Sequence, residues 1–393
     1  MSFSTVNKIA TGPHAEENSF LPYGRQLVES DDIAVVVEVL QSDWLTTGPK
    51  VAEFETAVAA YTGARHGIAV SSGTAALHAA MHALGIEPGD EVIVPAITFV
   101  ATANCVVYQG GTPIFADVDA ATLLIDPVDV ARKITSRTKA IIAVDYAGQP
   151  CDYDTLRSMA DQYGLALVAD GCHSLGAAYK GRKVGTLADL TVFSFHPVKH
   201  ITTGEGGMVL TDNEELAKKM RRFRNHGIDT DQRQREETGT WAYDMVHLGY
   251  NYRITDFQCA LGLSQLGRLP DWVAKRRGLS AEYDALLADN AAAIPLGRRN
   301  DNEHAYHLYV VRLHNDLTRK IAYDGLRQQN IGVNVHYQPV YLHTYYQRAL
   351  GAKAGLCPVA EDAYARILTM PLHQAMGKED VKRVVNALVE VCK

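Results

Sequence analysis

The chain has 393 residues, is 47% hydrophobic and carries a formal net charge of -7. That length and apolar content provide a sizeable core, spread over two or three domains. The mildly acidic balance argues against a general nucleic-acid or anionic-membrane binder and leaves a local phosphate site open. Cys105, Cys151, Cys172, Cys259, Cys357 and Cys392 are scattered without a CxxC pair, so reduced thiols in a cytoplasm are expected. Met1 to Phe20 holds one basic residue, Lys8, and no continuous apolar run, which is unlike a signal peptide. No stretch approaches the roughly 20 apolar residues of a membrane span.

Residues 1–20 read as a flexible arm. Glu29 to Ser42 has N-caps at Ser30, Asp31 and Asp32 and apolar residues at helical spacing, and Val51, Phe54, Val58 and Tyr61 mark a second helix. His66 to Val70 is a short strand running into Ser71-Ser72-Gly73-Thr74 and a helical pattern. Further apolar strands are expected at Glu91–Pro95, Pro113–Val118, Ala140–Asp145, Leu165–Asp170, Leu190–Phe195 and Gly207–Thr211. Helices at Ala101–Gln109, Pro127–Ile134 and Asp154–Tyr163 fall between them. Near-continuous apolar strands alternating with helices predict an α/β fold, a large mostly parallel sheet covered on both faces.

Beyond Thr211 come a basic helix, Glu214–Asn225, a polar loop, Asp229–Gly239, and a helix-like segment, Asn251–Gly267. The pattern then changes. A long helix, Pro270–Asp289, leads to a strand at His307–Leu313, a helix at Thr318–Asn330, a strand at Gly332–Tyr337 and a final helix carrying Val381, Val384, Val385, Leu388 and Val391. Residues 21–265 thus read as a large domain and 266–393 as a smaller α+β domain.

Three strand ends carry chemistry. Ser71-Ser72-Gly73-Thr74 opens a helix, where unpaired N–H groups and the positive helix end suit a phosphate, although Ser and Thr there serve equally as plain caps. Asp170 ends a buried strand, the place where open α/β sheets bind ligands, and a carboxylate there wants a cation. A protonated pyridine nitrogen is such a cation; an ion pair or a cap are the alternatives. His173 lies three residues further on. Phe99, after the strand ending at Pro95, offers either a flat face for an aromatic cofactor or a core ring.

Lys199 stands in Phe193-Ser194-Phe195-His196-Pro197-Val198-Lys199-His200-Ile201-Thr202-Thr203-Gly204-Glu205-Gly206-Gly207, between two apolar strands. Alone it is equally a surface-loop lysine or a covalent amine catalyst. Taken with a phosphate site, an aromatic face, Asp170, and Ser194 as a further phosphate ligand, it completes the inventory for pyridoxal phosphate.

These segments resemble a known family. Ser-Ser-Gly-Thr-Ala-Ala-Leu at 71–77, Ala-Asp-Gly-Cys-His-Ser-Leu-Gly at 169–176, the lysine segment at 193–207 and Gly-Tyr-Asn-Tyr-Arg-Ile-Thr-Asp-Phe-Gln at 249–258 are similar to the pyridoxal-phosphate-dependent nucleotide-sugar aminotransferases of the DegT/DnrJ/EryC1/StrS group. The resemblance runs from about Leu21 to the C-terminus and implies the aspartate-aminotransferase-like, type I pyridoxal phosphate fold. It implies Lys199 as the lysine joined to the cofactor, Asp170 as the ring-nitrogen partner and His173 beside the ring. It further implies Phe99 stacked on the ring, and Gly73, Thr74, Ala75 and Ser194 on the phosphate. Asn251 would reach the phosphate of a neighbouring subunit, giving a homodimer with shared active sites.

Leu21–Gln26, Ser42–Pro49 and Ile331–Tyr341 are most similar to pseudaminic-acid pathway members, which aminate C4 of a UDP-linked 4-keto-6-deoxy-N-acetylhexosamine with L-glutamate as donor. On the substrate side, Leu45 and Thr46 are candidates to line the sugar pocket, and Arg253 to take a carboxylate or diphosphate. His336 and Tyr337 are candidates to contact the nucleotide sugar, or else part of an aromatic interface. The alternatives are a UDP-linked 4-keto pentose, a dTDP-linked keto-deoxyhexose, and a non-catalytic regulator that binds the cofactor. A nicotinamide-dependent reductase is disfavoured because no GxGxxG follows the first strand.

Overall fold

The computed structural model describes residues 19–230, 235, 238–288, 292–314 and 316–392. The expected N-terminal arm up to residue 18, part of the polar loop after Asp229 and the expected helix end at Asp289 lie outside the described residues. The strands in chain order are β1 (His66–Val70), β2 (Glu91–Pro95), β3 (Thr112–Ala116), β4 (Thr138–Val144), β5 (Ala166–Asp170), β6 (Ala178–Tyr179), β7 (Arg182–Lys183), β8 (Leu190–Ser194), β9 (Gly207–Thr211), β10 (Ala293–Pro295), β11 (Asn302–Glu303), β12 (Tyr309–Leu313) and β13 (Ile367–Met370).

Seven of them form one sheet in the order β1-β9-β8-β5-β4-β2-β3. β3, β2, β4, β5 and β8 run parallel, while β9 is antiparallel to both β8 and β1. Every residue of β2 and β9 is buried, and β4, β5 and β8 are nearly so, as the unbroken apolar runs require when helices cover both faces. The parallel strands share one direction, so the carboxyl ends of β2, β5 and β8 open onto the same edge.

Local chemistry sets the helices that frame that edge. The helix Ser30–Leu40 starts with a capping box, Glu29 N–H donating to Asp32 Oδ2 at 3.0 Å. Pro49 opens the helix Pro49–Thr62, and Gly63 closes it with a positive φ of 87°. The expected helix at Asn251–Gly267 begins only at Asp256. Thr255 and Gln258 form its capping box, and residues 251–255 stay irregular.

A second core gathers around the sheet β10-β12-β13. The helix Leu269–Leu287 connects the two. Leu269, Trp272 and Val273 pack in the large core, and Leu279, Tyr283 and Leu287 in the small one. Burying the latter three contributes about 1.5–3 kcal/mol each, so the helix fastens one core to the other. The final helix, Lys378–Val391, buries Val381, Val384, Val385 and Leu388 as its spacing predicts. The expected strand at Gly332–Tyr337 does not form. Its backbone makes only isolated bridges, Ile331 to Leu21 and Asn334 to Thr369. The strand paired with β12 is instead Ile367–Met370, which the sequence reading left unassigned. Among the described residues no helix is long and apolar enough to cross a membrane.

Candidate active site

β1 ends at Val70, and Ser72 caps the helix Gly73–Leu84, its hydroxyl accepting the Ala75 N–H at 3.1 Å. The N–H groups of Gly73 and Thr74 sit at the positive end of that helix without an acceptor among the described residues. Only glycine fits at 73, since a Cβ there would stand 2.9 Å from Ser194 Cβ and 3.3 Å from Cys172 Sγ. Ser194, the last residue of β8, therefore lies directly against the helix start. Two free N–H groups, a helix dipole and a hydroxyl form a cradle for an anion. Ala75 lies off the cleft, and its N–H is already taken by Ser72.

β5 delivers Asp170, which is 5% exposed. Its Oδ2 accepts from Thr102 Oγ1 at 2.7 Å and its Oδ1 from the Cys172 N–H at 3.2 Å. The Thr102 hydroxyl also meets Thr98 Oγ1 at 2.8 Å. No Lys, Arg or His among the described residues forms an ion pair with Asp170. A buried carboxylate at a strand end, held by two hydrogen-bond donors and no ion pair, suits a cationic ligand.

The lysine loop between β8 and β9 is held by its own hydrogen bonds. Phe195 N–H donates to Gly206 O at 2.9 Å, Thr203 N–H to Phe195 O at 3.0 Å, and Lys199 N–H to His196 O at 2.9 Å. Other elements fix it from outside. Gln265 Oε1 accepts the Thr202 N–H at 3.0 Å, and Gln374 Nε2 donates to His200 O at 2.9 Å. Burial pushes the Lys199 amine below the usual lysine range, against the opposing pull of Cys172 and Asp170. His200, to which the sequence reading gave no role, is buried with Nε2 3.0 Å from Ala305 O.

Beside the lysine the imidazoles of His173 and His307 lie 4.4 Å apart between ring centroids. Burial holds both well below the ordinary histidine range, and the charge of Lys199 adds to that. His173 Nε2 is 3.2 Å from Tyr337 Oη. The small core supplies this side of the cleft through Asn334–Gln338, with His336 Nδ1 fixed 2.9 Å from Thr369 Oγ1.

These groups surround one cleft of about 990 Å³. Gly73, Thr74, Phe99, Asp170, His173, Ser194, Lys199, His336 and Tyr337 all line it. Phe99 is 55% exposed, so it is a wall of the cleft and not a core ring. Leu45, Thr46, Asn251 and Arg253 do not line it. Leu45 is exposed, Thr46 bridges to Thr255, Asn251 bridges to Asn225, and Arg253 Nη1 donates to Asn225 Oδ1 at 2.8 Å. No arginine lines the cleft among the described residues. Asn334, in the Asn334–Tyr337 stretch expected to contact the sugar, lines the cleft with His336 and Tyr337. Among the lining groups without an expected role are Thr102 and His307. Thr102 follows Thr98 at the i,i+4 spacing of a helix start, a signal that could have been read. His307 carries no local signal.

The pattern of the DegT/DnrJ/EryC1/StrS aminotransferase family matches residues 26–389. The spore coat polysaccharide biosynthesis protein SpsC of Bacillus subtilis is 41% identical over 383 residues, covering 96% of this chain and 98% of that protein. Among solved structures, the putative sugar aminotransferase Spr1654 of Streptococcus pneumoniae superposes with a TM-score of 0.90 at 33% identity, over 95% of this chain and 99% of that one. Helicobacter pylori PseC, an aminotransferase of pseudaminic acid biosynthesis, superposes with a TM-score of 0.89 at 32% identity, over 95% and 99% respectively.

Proposed function

The chain belongs to the DegT/DnrJ/EryC1/StrS aminotransferase family, and from that membership we propose that it moves an amino group from L-glutamate to C4 of a UDP-linked 4-keto-6-deoxy-N-acetylhexosamine, in pseudaminic-acid-type sugar biosynthesis. It is a pyridoxal-phosphate-dependent sugar aminotransferase. The observation that carries the reading is the single cleft in which Lys199, the uncompensated Asp170 and the open helix start converge.

The residues fit the cofactor. The Gly73 and Thr74 N–H groups and the Ser194 hydroxyl would hold its phosphate, Phe99 would cover one ring face, and Asp170 would meet the ring nitrogen. When bound, pyridoxal phosphate supplies an aldehyde conjugated to a pyridinium ring that draws electrons from a substrate carbon. The Asp170 carboxylate keeps the ring-nitrogen proton in place, and the Thr102 hydroxyl orients it. Lys199 Nζ would take the proton from the donor's α-carbon and hand the same proton on to the carbon that was the cofactor's aldehyde carbon. His173, neutral at physiological pH, lies beside the reacting groups without competing for that proton. The two half-reactions share one site, so ping-pong kinetics are expected.

A second copy would complete the site. The donor's carboxylates and the nucleotide's diphosphate suit arginines, and among the described residues none lines this chain's own cleft. Trp241, Tyr243, Met245 and Leu248 form an apolar strip, 59–90% exposed, next to Asn251 and Arg253. A homodimer that buries the strip would carry Asn251, Arg253, Leu45 and Thr46 to the partner's cleft. We assign residues 21–265 to a cofactor-binding domain and 266–393 to a domain that closes the cleft. Six unpaired cysteines support a cytoplasmic setting.

The similarity to SpsC favours a second reading, amination of another nucleotide-linked keto sugar for a surface polysaccharide. A panel of UDP- and dTDP-linked keto sugars, incubated with glutamate and read by mass spectrometry, separates the two. Amination of the UDP-N-acetylhexosamine substrate alone supports the first; preference for a dTDP-sugar or a UDP-pentose supports the second. Lys199→Ala should abolish turnover, and an active variant would overturn the site assignment. A chain that binds the cofactor but never transfers its amino group from glutamate would be a regulator.

A further inference from the structure

Lys199 Nζ has one side-chain neighbour at hydrogen-bonding reach among the described residues, His307 Nε2 at 3.5 Å. His307 is 5% exposed and stands just before β12. Its backbone is clamped. Arg276 Nη1 donates to His307 O at 3.3 Å, Tyr306 O at 3.1 Å and Leu372 O at 2.9 Å, and Arg276 Nη2 donates to Gln374 Oε1 at 3.0 Å. Arg276 is fully buried and pairs with no carboxylate among the described residues.

His307 Nδ1 is buried without a hydrogen-bond partner. A neutral imidazole carries its proton on one nitrogen or the other. A proton on Nδ1 would bury an unsatisfied donor in a ring on which the nearby Arg276 cation already acts. A proton on Nε2 avoids that buried donor and turns an N–H toward Lys199. That N–H finds an acceptor only if Nζ keeps its lone pair.

We propose that His307 is a positioning residue that donates its Nε2–H to Lys199 Nζ and so holds the lysine as a free amine, ready to take a proton from the amino donor. The inference rests on Lys199 being the reacting amine. Asp170 and Cys172 pull Lys199 toward the ammonium, while burial opposes them. His173, His196, His200 and His336 also feel the lysine's charge, and burial keeps each of them below its ordinary value.

The test follows Lys199 acetylation by trace acetic anhydride against pH, in the full-length chain freed of cofactor. His307→Leu should raise the midpoint by about half to one pH unit, roughly a three- to tenfold loss of free amine at neutral pH. His307→Gln, whose amide can still donate, should lie nearer wild type. In the loaded enzyme His307→Leu should lower kcat about tenfold at pH 7 with donor KM little changed, and recover as the pH is raised. An unmoved midpoint in His307→Leu overturns the inference. So does a wild-type 15N imidazole spectrum that places the His307 proton on Nδ1, and this spectrum decides alone should the leucine variant not fold. An active Lys199→Ala would overturn the underlying reading; an inactive one beside an unmoved His307→Leu midpoint overturns the inference alone.

Discussion

Thr102→Val removes one oxygen and nearly nothing else, which makes it a clean probe of Asp170. The hydroxyl lost is 0% exposed and donates to Asp170 Oδ2 at 2.7 Å. A hydrogen bond to a charged acceptor contributes about 1.5–3 kcal/mol, and without it the partner that Asp170 keeps among the described residues is Cys172, through its N–H at 3.2 Å. Thr98, 2% exposed, would also lose its partner across 2.8 Å, which favours the upper part of that range. The cofactor-free variant should therefore lose about 2–3 kcal/mol of unfolding free energy. The loaded variant should lose less, because a protonated ring nitrogen gives the carboxylate another partner. Urea denaturation with and without cofactor measures both, and Thr102→Ser, which keeps the hydroxyl, is the control. A cofactor-free Thr102→Val with the wild-type midpoint would refute the claim that Asp170 depends on this hydroxyl. Equal losses with and without cofactor would refute its pairing with the ring.

Gly73→Ala should weaken both binding and stability. Its Cβ would stand 2.9 Å from Ser194 Cβ, so the helix start or the end of β8 must shift and the anion cradle is disturbed. Cofactor affinity, followed by equilibrium dialysis, should fall at least about tenfold, or about 1.4 kcal/mol, with a fall in thermal stability beside it; an unchanged affinity would remove Gly73 from the cradle. Acid should destabilise the fold early. Burial pushes His78, His336 and His373 down to about 4, so as pH falls below the unfolded value near 6.5 the unfolded chain takes up protons that the folded chain refuses. Asp145, pushed up to about 7 by burial, acts in the opposite direction over the same window and offsets one of the three. His82, also pushed to about 4, and His173, His200, His304 and His307, all held well below the ordinary value by burial, act in the same direction as the three. Unfolding free energy should therefore fall steadily from about pH 6 to 4; urea midpoints that stay flat there would contradict the burial of these rings. Leu248→Asp places a charge in the strip proposed as the copy-to-copy contact and should shift sedimentation from dimer to monomer while lowering activity. An unchanged mass in dilute solution would remove the strip from the interface.

The sequence made the large sheet and the lysine loop legible because their determinants are local. Apolar runs of strand length, a Ser-Ser-Gly-Thr helix start and a Pro-x-Lys turn each sit within a few residues. Gly332–Tyr337 reads as a strand by the same rule and is not one. β12 already occupies one edge of β13, and Gly332 is pressed against the N-terminal segment, where a Cβ would meet Phe20 Cζ at 2.9 Å and Leu21 O at 3.0 Å. That contact joins residues more than three hundred positions apart, which no local period encodes. His307 was missed for the same reason: it is 108 residues from Lys199 in the chain and meets it only through the tertiary fold.

The cleft is a junction between cores, and this bears on where control of the lysine resides. Lys199 is rooted in the large sheet through β8 and β9, but the side chain at hydrogen-bonding distance from its amine comes from the segment before β12. Gln374 and Ala305 hold the carbonyl and ring of His200, the next residue. Arg276, in the helix that crosses between the cores, binds the carbonyls of Tyr306, His307 and Leu372 together. Two backbone bonds flank His307 and tie its segment to the loop after β4, Ala305 N–H to Gly148 O at 2.9 Å and Leu308 N–H to Ala147 O at 3.1 Å. His307 is thus held from two sides, by Arg276 in the crossing helix and by the large sheet, so its place beside Lys199 is fixed to the same sheet that carries Asp170 and the anion cradle.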